Sequence, residues 1–229
     1  MILSPAEWEA VHLSLLVASS ALVLSLPLAI LAALALSRAR FPGRALLDAL
    51  VHLPLVLPPV VTGWLLLLLF GVRGPLGRPL LDWFGLRLAF STSGAAVATA
   101  VMSFPLVVRA VRLSLETLDP RLEAAARTLG AGRIDRFTSI TLPLIAPGIL
   151  AGAVTAFAAG LGEFGAVITF ASNIPGETRT LPLAIYSAIQ SPGGDAVAAR
   201  LSFISFTLAL LLLLVAEWTS RRLRAWLGR

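Results

Sequence analysis

Residues 123–130 read Glu-Ala-Ala-Ala-Arg-Thr-Leu-Gly, and Ile-Thr-Leu-Pro follows at residues 140–143 after nine intervening residues. This polar stretch lies between apolar segments, and further charged residues surround it: Arg121, Arg127, Arg133, Asp135 and Arg136. A polar loop with this many charged residues, set between apolar segments, is expected to be exposed and to bind another molecule. We therefore interpret the stretch as a docking site for a soluble partner.

The rest of the composition places the chain in a lipid bilayer. Of its 229 residues, 58% are hydrophobic and 13% are charged, which is unlike an ordinary soluble domain. Each long uncharged segment is sufficient to cross a hydrocarbon core of about 30 Å as a helix. The sequence predicts an all-α integral membrane protein, with one transmembrane domain over residues 1–229 and the docking loop at residues 113–143. The five predicted spans are about 11–37, 48–72, 91–112, 144–168 and 198–219.

The distribution of arginine predicts the orientation of these spans. All 18 basic residues are arginine, and 13 of them lie after the first span, after the third span or after the fifth span. Because basic residues concentrate in cytoplasmic loops, the N-terminus is expected outside the cell and the C-terminus in the cytoplasm. The first ten residues carry Glu7 and Glu9 and no basic residue, so the first span is expected to remain in the protein rather than act as a signal peptide.

Several function classes lack their usual residues in this chain. There is no cysteine, which excludes disulfides and thiol catalysis. The two histidines, His12 and His52, stand far apart in sequence and form no metal-ligand pattern. We expect no catalytic residue, no metal site and no cofactor in this chain. The basic residues follow the membrane topology, so they do not indicate a nucleic-acid partner.

Two apolar spans contain predicted interruptions. Pro54, Pro58 and Pro59 each remove a helix hydrogen bond from the second span, and the break either packs against a neighbouring helix or lines a cavity. In the fourth span, Glu163 stands in the outer half of the bilayer among three glycines, where a carboxylate is costly unless it is paired. It is either held by backbone amides or an arginine at a helix break, or it belongs to a gate. The predicted gate residues are Gly162, Glu163, Phe164 and Gly165.

The docking loop carries its own helix signals. Asp119 is a good N-cap, Pro120 suits the first helical position, and Gly130 can end the helix in a left-handed conformation. A helix of about ten residues is therefore predicted, followed by a second short helix from Arg133 to Ile140. The alternative is an amphipathic helix that lies on the membrane surface.

The loop resembles the EAA motif of bacterial ABC importer permeases, in which Glu-Ala-Ala, a glycine, nine residues and Ile-x-Leu-Pro form the helix that docks on the ATPase. In that family the glutamate stands six residues before the glycine, where this chain has Ala124, and Glu123 lies one residue earlier. Residues 161–166 and 172–182 are similar to the oxyanion-importer branch, above all to its molybdate permeases. The resemblance implies the type I importer architecture, and it implies these docking residues: Glu123, Ala124, Ala125, Ala126, Leu129, Gly130, Ile140, Leu142 and Pro143.

The resemblance also implies partners and a location. It implies an inner-membrane permease that forms a homodimer, binds two cytoplasmic ATP-binding subunits and receives an oxyanion from a periplasmic or extracellular binding protein. ATP and Mg would then be used by the partner ATPase, and this chain would not be an enzyme. Sulfate, thiosulfate and tungstate are alternative substrates to molybdate. A membrane-embedded enzyme that uses Glu163 and a purely structural membrane subunit are the alternatives from other classes.

Overall fold

The computed structural model describes residues 3–39 and 41–226, apart from the side chains of residues 216, 220 and 223–226. Arg40 and Arg229, which contribute to the charge argument, lie outside the described residues. The described chain is built from α-helices joined by short turns. In chain order the helices are α1 Pro5–Arg38, α2 Arg44–Val56, α3 Pro59–Phe70, α4 Gly77–Phe84, α5 Thr92–Glu116, α6 Pro120–Thr128, α7 Arg133–Arg136, a π-helical turn Phe137–Thr141, α8 Leu142–Leu161, α9 Gly165–Phe170, α10 Leu181–Ile189 and α11 Asp195–Trp226.

Four helical stretches are long and apolar enough to cross a membrane, and the bent pair α2 and α3 can supply a fifth span. The four are Pro5–Arg38, Thr92–Glu116, Arg133–Leu161 and Asp195–Thr219. The predicted fold class, an all-α membrane protein, is confirmed. The expected interruption of residues 48–72 is complete, because the axes of α2 and α3 differ by 119°. Pro58 is the N-cap of α3 and Pro59 is its first residue. The N–H groups at these positions have no acceptor within a helix, so the two prolines cost α3 no hydrogen bond.

The docking loop is shorter than predicted. α5 continues to Glu116, and a continuous helix already begins at Arg133 and runs through the π-turn into α8. The predicted separate helix from Arg133 to Ile140 is therefore wrong at its C-terminal end. The N–H of Leu142 bonds the carbonyl of Phe137, five residues back, and this wider turn accommodates Pro143, which has no N–H to donate.

Two buried clusters lie at successive levels along α1. Near the Arg38 end of α1, Leu36 and Val51 pack with residues of α5 and α8. Near its Pro5 end, Val17 and Leu66 pack with residues of α5 and α9. Since Val51 is on α2 and Leu66 is on α3, the bent pair passes from one level to the other. This arrangement agrees with a broken span that crosses the bundle.

Ion pairs join helices at both ends of the bundle. Glu7 of α1 is almost fully buried and accepts hydrogen bonds from Arg200 of α11 at 2.7 and 3.0 Å. Asp48 of α2 accepts one from Arg112 of α5 at 2.6 Å. Glu7 also forms a capping box with Ser4, so α1 begins at Pro5, well before the predicted start of the first span at residue 11.

Candidate functional site

α6 has the local structure that the sequence predicts. The Asp119 side chain accepts a hydrogen bond from the N–H of Arg121 at 2.9 Å and caps the helix, with Pro120 as its first residue. At the other end Gly130 has φ +90°, a left-handed conformation, and the N–H of Ala131 bonds the carbonyl of Ala126 at 3.0 Å. The cap, the proline and the glycine thus confine α6 to nine residues and turn the chain into α7.

The apolar side chains of this region are open to the surroundings. Leu129 is 87% exposed and Ile134 is 80% exposed, and α6 contains no buried residue. Two large apolar side chains this exposed in a charged loop are suited to contact with a partner. We call α6, α7 and the turn between them the docking segment, and we call Leu122, Ala125, Leu129 and Ile134 its apolar face.

The residues that the sequence assigned to docking are not all equally accessible. Ala124, Ala125, Leu129 and Gly130 are exposed, and Ala126 is half-buried. Within the continuous helix, Leu142 is exposed, whereas Ile140 and Pro143 are half-buried. The first half of the motif therefore forms the open surface, and the second half forms the base from which α8 starts.

Glu123 has partners within its own chain. Its Oε1 atom accepts hydrogen bonds from the guanidinium of Arg38 and from the hydroxyl of Thr141. The Arg38 guanidinium also donates to the Thr141 hydroxyl at 3.4 Å. Partial burial alone would raise the pKa of Glu123, but the hydrogen bonds and the positive charge of Arg38 outweigh it and hold that pKa below its usual value. We call Arg38, Glu123 and Thr141 the clasp.

No local sequence signal predicts the clasp. Arg38 lies 85 residues from Glu123 in sequence, and Thr141 lies 18 residues away. The only hint was a basic residue at the end of the first apolar segment, which is usual in any membrane protein.

Glu163 bridges the break between α8 and α9. Its Oε1 atom accepts a hydrogen bond from the N–H of Ala166 at 2.9 Å, so the carboxylate caps the start of α9. This confirms the alternative in which backbone amides hold the carboxylate at a helix break. The gate assigned to Gly162, Glu163, Phe164 and Gly165 stays a prediction.

The two helix breaks lie against each other. A Cβ atom added at Gly165 would stand 2.7 Å from the Cβ of Pro59, at the start of α3. One added at Gly63 would stand 2.7 Å from the carbonyl oxygen of Ala166, in α9. Both distances are far below van der Waals contact, so α3 and α9 approach at backbone distance only because both positions are glycine.

Apolar cavities flank these breaks. One of about 560 Å³ lies between α8, α10 and α11, where the rings of Phe164 and Tyr186 meet with centroids 5.1 Å apart. Another of about 370 Å³ lies beside α2 and includes Pro54 in its lining. At the break itself Pro59 packs against Gly165 of α9, which agrees with the alternative in which a neighbouring helix fills the break. The apolar walls of both cavities favour lipid tails or another apolar surface over a hydrated anion.

Four hydroxyl groups in the apolar helices are candidates for a polar pathway, namely those of Thr62, Ser103, Thr155 and Thr169, and three of them bond their own helix. Ser103 donates to the carbonyl of Thr99, Thr155 to that of Ala151 and Thr169 to that of Gly165, each at 2.8 Å. Thr62 is 5% exposed, and its hydroxyl forms no hydrogen bond within the described residues. Intrahelical bonding is the ordinary behaviour of Ser and Thr in apolar helices, so these three groups indicate no pathway.

The comparison with known proteins identifies the family. Residues 25–225 match the family described as "binding-protein-dependent transport system inner membrane component". The chain belongs to this family. It is therefore a multi-pass inner-membrane permease subunit of an importer and not an enzyme, which removes the membrane-enzyme alternative built on Glu163.

Relatives and solved structures agree with this assignment. The permease is 60% identical over 229 residues to the molybdenum transport system permease protein ModB of Escherichia coli K12, with 100% of both chains covered. It is 40% identical over 221 residues to the sulfate transport system permease protein CysT of Salmonella typhimurium LT2, covering 96% of this chain and 79% of the relative. Its fold matches a chain in a crystal structure of a bacterial alginate ABC transporter with a TM-score of 0.77 and 22% identity, covering 96% of this chain and 80% of that one.

Proposed function

We propose that this chain is the permease subunit of an ATP-driven molybdate importer. In the proposed complex, two copies of the chain form a homodimer that binds two cytoplasmic ATP-binding subunits and receives the anion from a periplasmic binding protein. The N-terminus is outside the cell and the C-terminus is cytoplasmic, as the arginine distribution indicates. ATP and Mg are used in the partner subunits, and this chain provides the docking surface and the membrane path.

The docking segment supports the assembly part of the proposal. Exposed Leu129 and Ile134 offer apolar contact area, and the nearby arginines offer charge complementarity to an acidic partner surface. The small side chains of Ala124 and Ala125 allow a partner backbone to approach α6 closely. The left-handed conformation of Gly130 turns the chain from α6 into α7, so that Leu129 and Ile134 both belong to the exposed part of the loop.

The proposal of molybdate as the substrate rests on one observation, the 60% identity to a molybdenum permease over the full length of both chains. Sulfate is the second candidate, because a sulfate permease is 40% identical over most of this chain. Thiosulfate and tungstate are oxyanions of similar shape and charge. A binding protein with converging hydrogen-bond donors is better suited to distinguish such anions than the apolar cavities of this chain.

The test is uptake of labelled molybdate at low concentration, in cells with and without the gene, with excess unlabelled sulfate or tungstate as competitors. Loss of molybdate uptake on deletion, restored by the gene on a plasmid and insensitive to sulfate, is the expected result. Retained molybdate uptake with loss of sulfate uptake would move the substrate to sulfate. No change in either flux would contradict the importer proposal for both anions.

A further inference from the structure

Three separate elements of the chain meet at the clasp. Arg38 is the last residue of α1, Glu123 lies in the first turn of α6, and Thr141 is the last residue of the π-turn before α8. Each residue of the clasp hydrogen bonds to both of the others. The clasp therefore ties the docking helix to the ends of two long membrane helices.

Apart from the clasp, α6 has few attachments. It has no buried residue and packs only lightly against α7 and the π-turn. Its connection to α7 contains Gly130 and Gly132, and a Cβ atom at either position would meet nothing within 4 Å. A helix held by so little packing can change its angle to the bundle unless a specific contact prevents it.

The clasp lies on the side of α6 that faces the bundle. Thr141 is fully buried, so its hydroxyl is not accessible to another protein. Glu123 is half-buried, whereas Leu129 is 87% exposed. The carboxylate of the motif is thus engaged inside the subunit, while the apolar face of the docking segment stays open.

We propose that the clasp of Arg38, Glu123 and Thr141 is the link that transmits movement of α6 to α1 and α8. This inference rests on the proposed docking of α6 to an ATPase and deepens it. Glu123 acts as a positioning residue inside the permease, and the apolar face makes the contact with the partner. When the partner displaces α6, the clasp makes α1 and α8 move with it, whereas without the clasp α6 turns about its glycine connection and the membrane helices stay behind.

The membrane helices that receive the movement are well placed to respond. α1 packs along α5 and also against α8, so a displacement of the clasp acts on the centre of the bundle. α8 ends at the break that Glu163 bridges, next to the contact between α9 and α3. A shift of α8 at the Thr141 end therefore reaches the α8–α9 break through continuous helix, and it reaches the α2–α3 break across the packing of α9 on α3.

The experiment uses the permease reconstituted in liposomes with its ATPase and binding protein, and it measures labelled molybdate transported per ATP hydrolysed. Co-purification of the ATPase with each variant measures docking separately. Arg38→Glu and Glu123→Arg are each expected to lower transport per ATP by about fivefold, since a half-exposed ion pair contributes on the order of 1 kcal/mol. The double variant Arg38→Glu, Glu123→Arg is expected to recover most of the loss while ATPase binding stays normal throughout.

Two further variants separate the clasp from a direct contact and from a general charge effect. Thr141→Val removes one buried hydroxyl without access to the partner, and it is expected to lower transport per ATP about threefold. The exchange Arg78→Asp, Asp82→Arg reverses an exposed pair in α4, whose side chains are 3.6 Å apart, and is expected to change nothing.

Each outcome bears on the inference. Loss of ATPase co-purification in Glu123→Arg that the double variant does not restore would place Glu123 at the partner contact and overturn it. Wild-type transport per ATP in both single reversals and in Thr141→Val would overturn it as well. If the wild-type chain itself fails to bind an ATPase or to move molybdate, the proposed function fails instead, which is a separate result.

Discussion

The docking segment and the contact between α3 and α9 are built in opposite ways. α6 has no buried residue and is attached by charged side chains at the clasp. α3 and α9 touch at backbone distance through Gly63 and Gly165, and the atoms nearest to these glycines belong to the backbone or to uncharged side chains. The attachment of α6 can change during transport, because polar side-chain contacts can form and break in water. The contact of α3 with α9 cannot, because a glycine contact in an apolar layer tolerates no added atom.

The largest expected effect is on the docking side of this comparison. Gly130→Asp adds a side chain and a charge beside Leu129, and it requires a left-handed conformation of a non-glycine residue, which costs about 1 kcal/mol. We expect molybdate uptake to be abolished while the protein remains in the membrane. Uptake and the amount of permease in isolated membranes are the two measurements.

Gly43 provides a matched control for that variant. It has the same φ of +90°, and nothing lies within 4 Å of a Cβ added there, as at Gly130. Gly43→Asp therefore carries the same backbone strain and the same charge outside the docking segment, and uptake is expected to persist. Equal loss of uptake in both variants would assign the effect to strain and would remove Gly130 as evidence for docking.

The next effect belongs to the packed side of the comparison. Gly63→Ala places a Cβ 2.7 Å from the carbonyl oxygen of Ala166, an atom of the helix backbone that cannot move alone. The expected cost is about 2 kcal/mol from overpacking, seen as a lower thermal midpoint of the purified permease in detergent. Gly162→Ala is the control, since its Cβ would meet only the carbonyl oxygen of Ala159 at an ordinary 3.7 Å. Equal midpoints for the two variants would show that α3 and α9 are not in close contact.

A smaller effect is expected at the break between α8 and α9. Glu163→Ala removes the acceptor for the N–H of Ala166 and should cost about 1 kcal/mol of stability, whereas Glu163→Gln keeps an oxygen acceptor and should cost less. Thermal midpoints of both variants measure this. If Gln is as harmful as Ala, the negative charge of the carboxylate, and not an oxygen acceptor alone, stabilises the start of α9.

Local signals made part of this structure predictable from the sequence. Asp119, Pro120 and Gly130 each act within a few residues, and the structure places all three as expected. The apolar segments likewise predicted the membrane helices, because their length and composition need no knowledge of the neighbours.

The remaining features depend on what meets in space. The partner of Glu123 is 85 residues away, and nothing in the spacing of the chain distinguishes Arg38 from the other arginines. The close contact of Gly63 with Ala166 follows from the bend at Pro58, whose direction is set by packing and not by the proline itself. The π-turn before Pro143 is not predictable from the proline alone, because a proline usually marks a helix boundary, whereas here one wider turn lets the helix continue.

The smallest effect concerns the pH dependence of the clasp. Because the pKa of Glu123 is held below its ordinary value of 4.5, the clasp contributes stability fully above that value and loses it as the pH falls through the lower, folded-state pKa. Hydrogen exchange of the α6 amides, corrected for the intrinsic pH dependence of exchange, should therefore show constant protection from pH 8 to pH 5. Glu123→Gln should show weaker protection that does not vary with pH over this range. Protection that already declines between pH 7 and pH 5 in the wild-type permease would mean that Arg38 and Thr141 do not hold the carboxylate. The clasp would then not attach α6, and the contrast with the packed contact of α3 and α9 would fail.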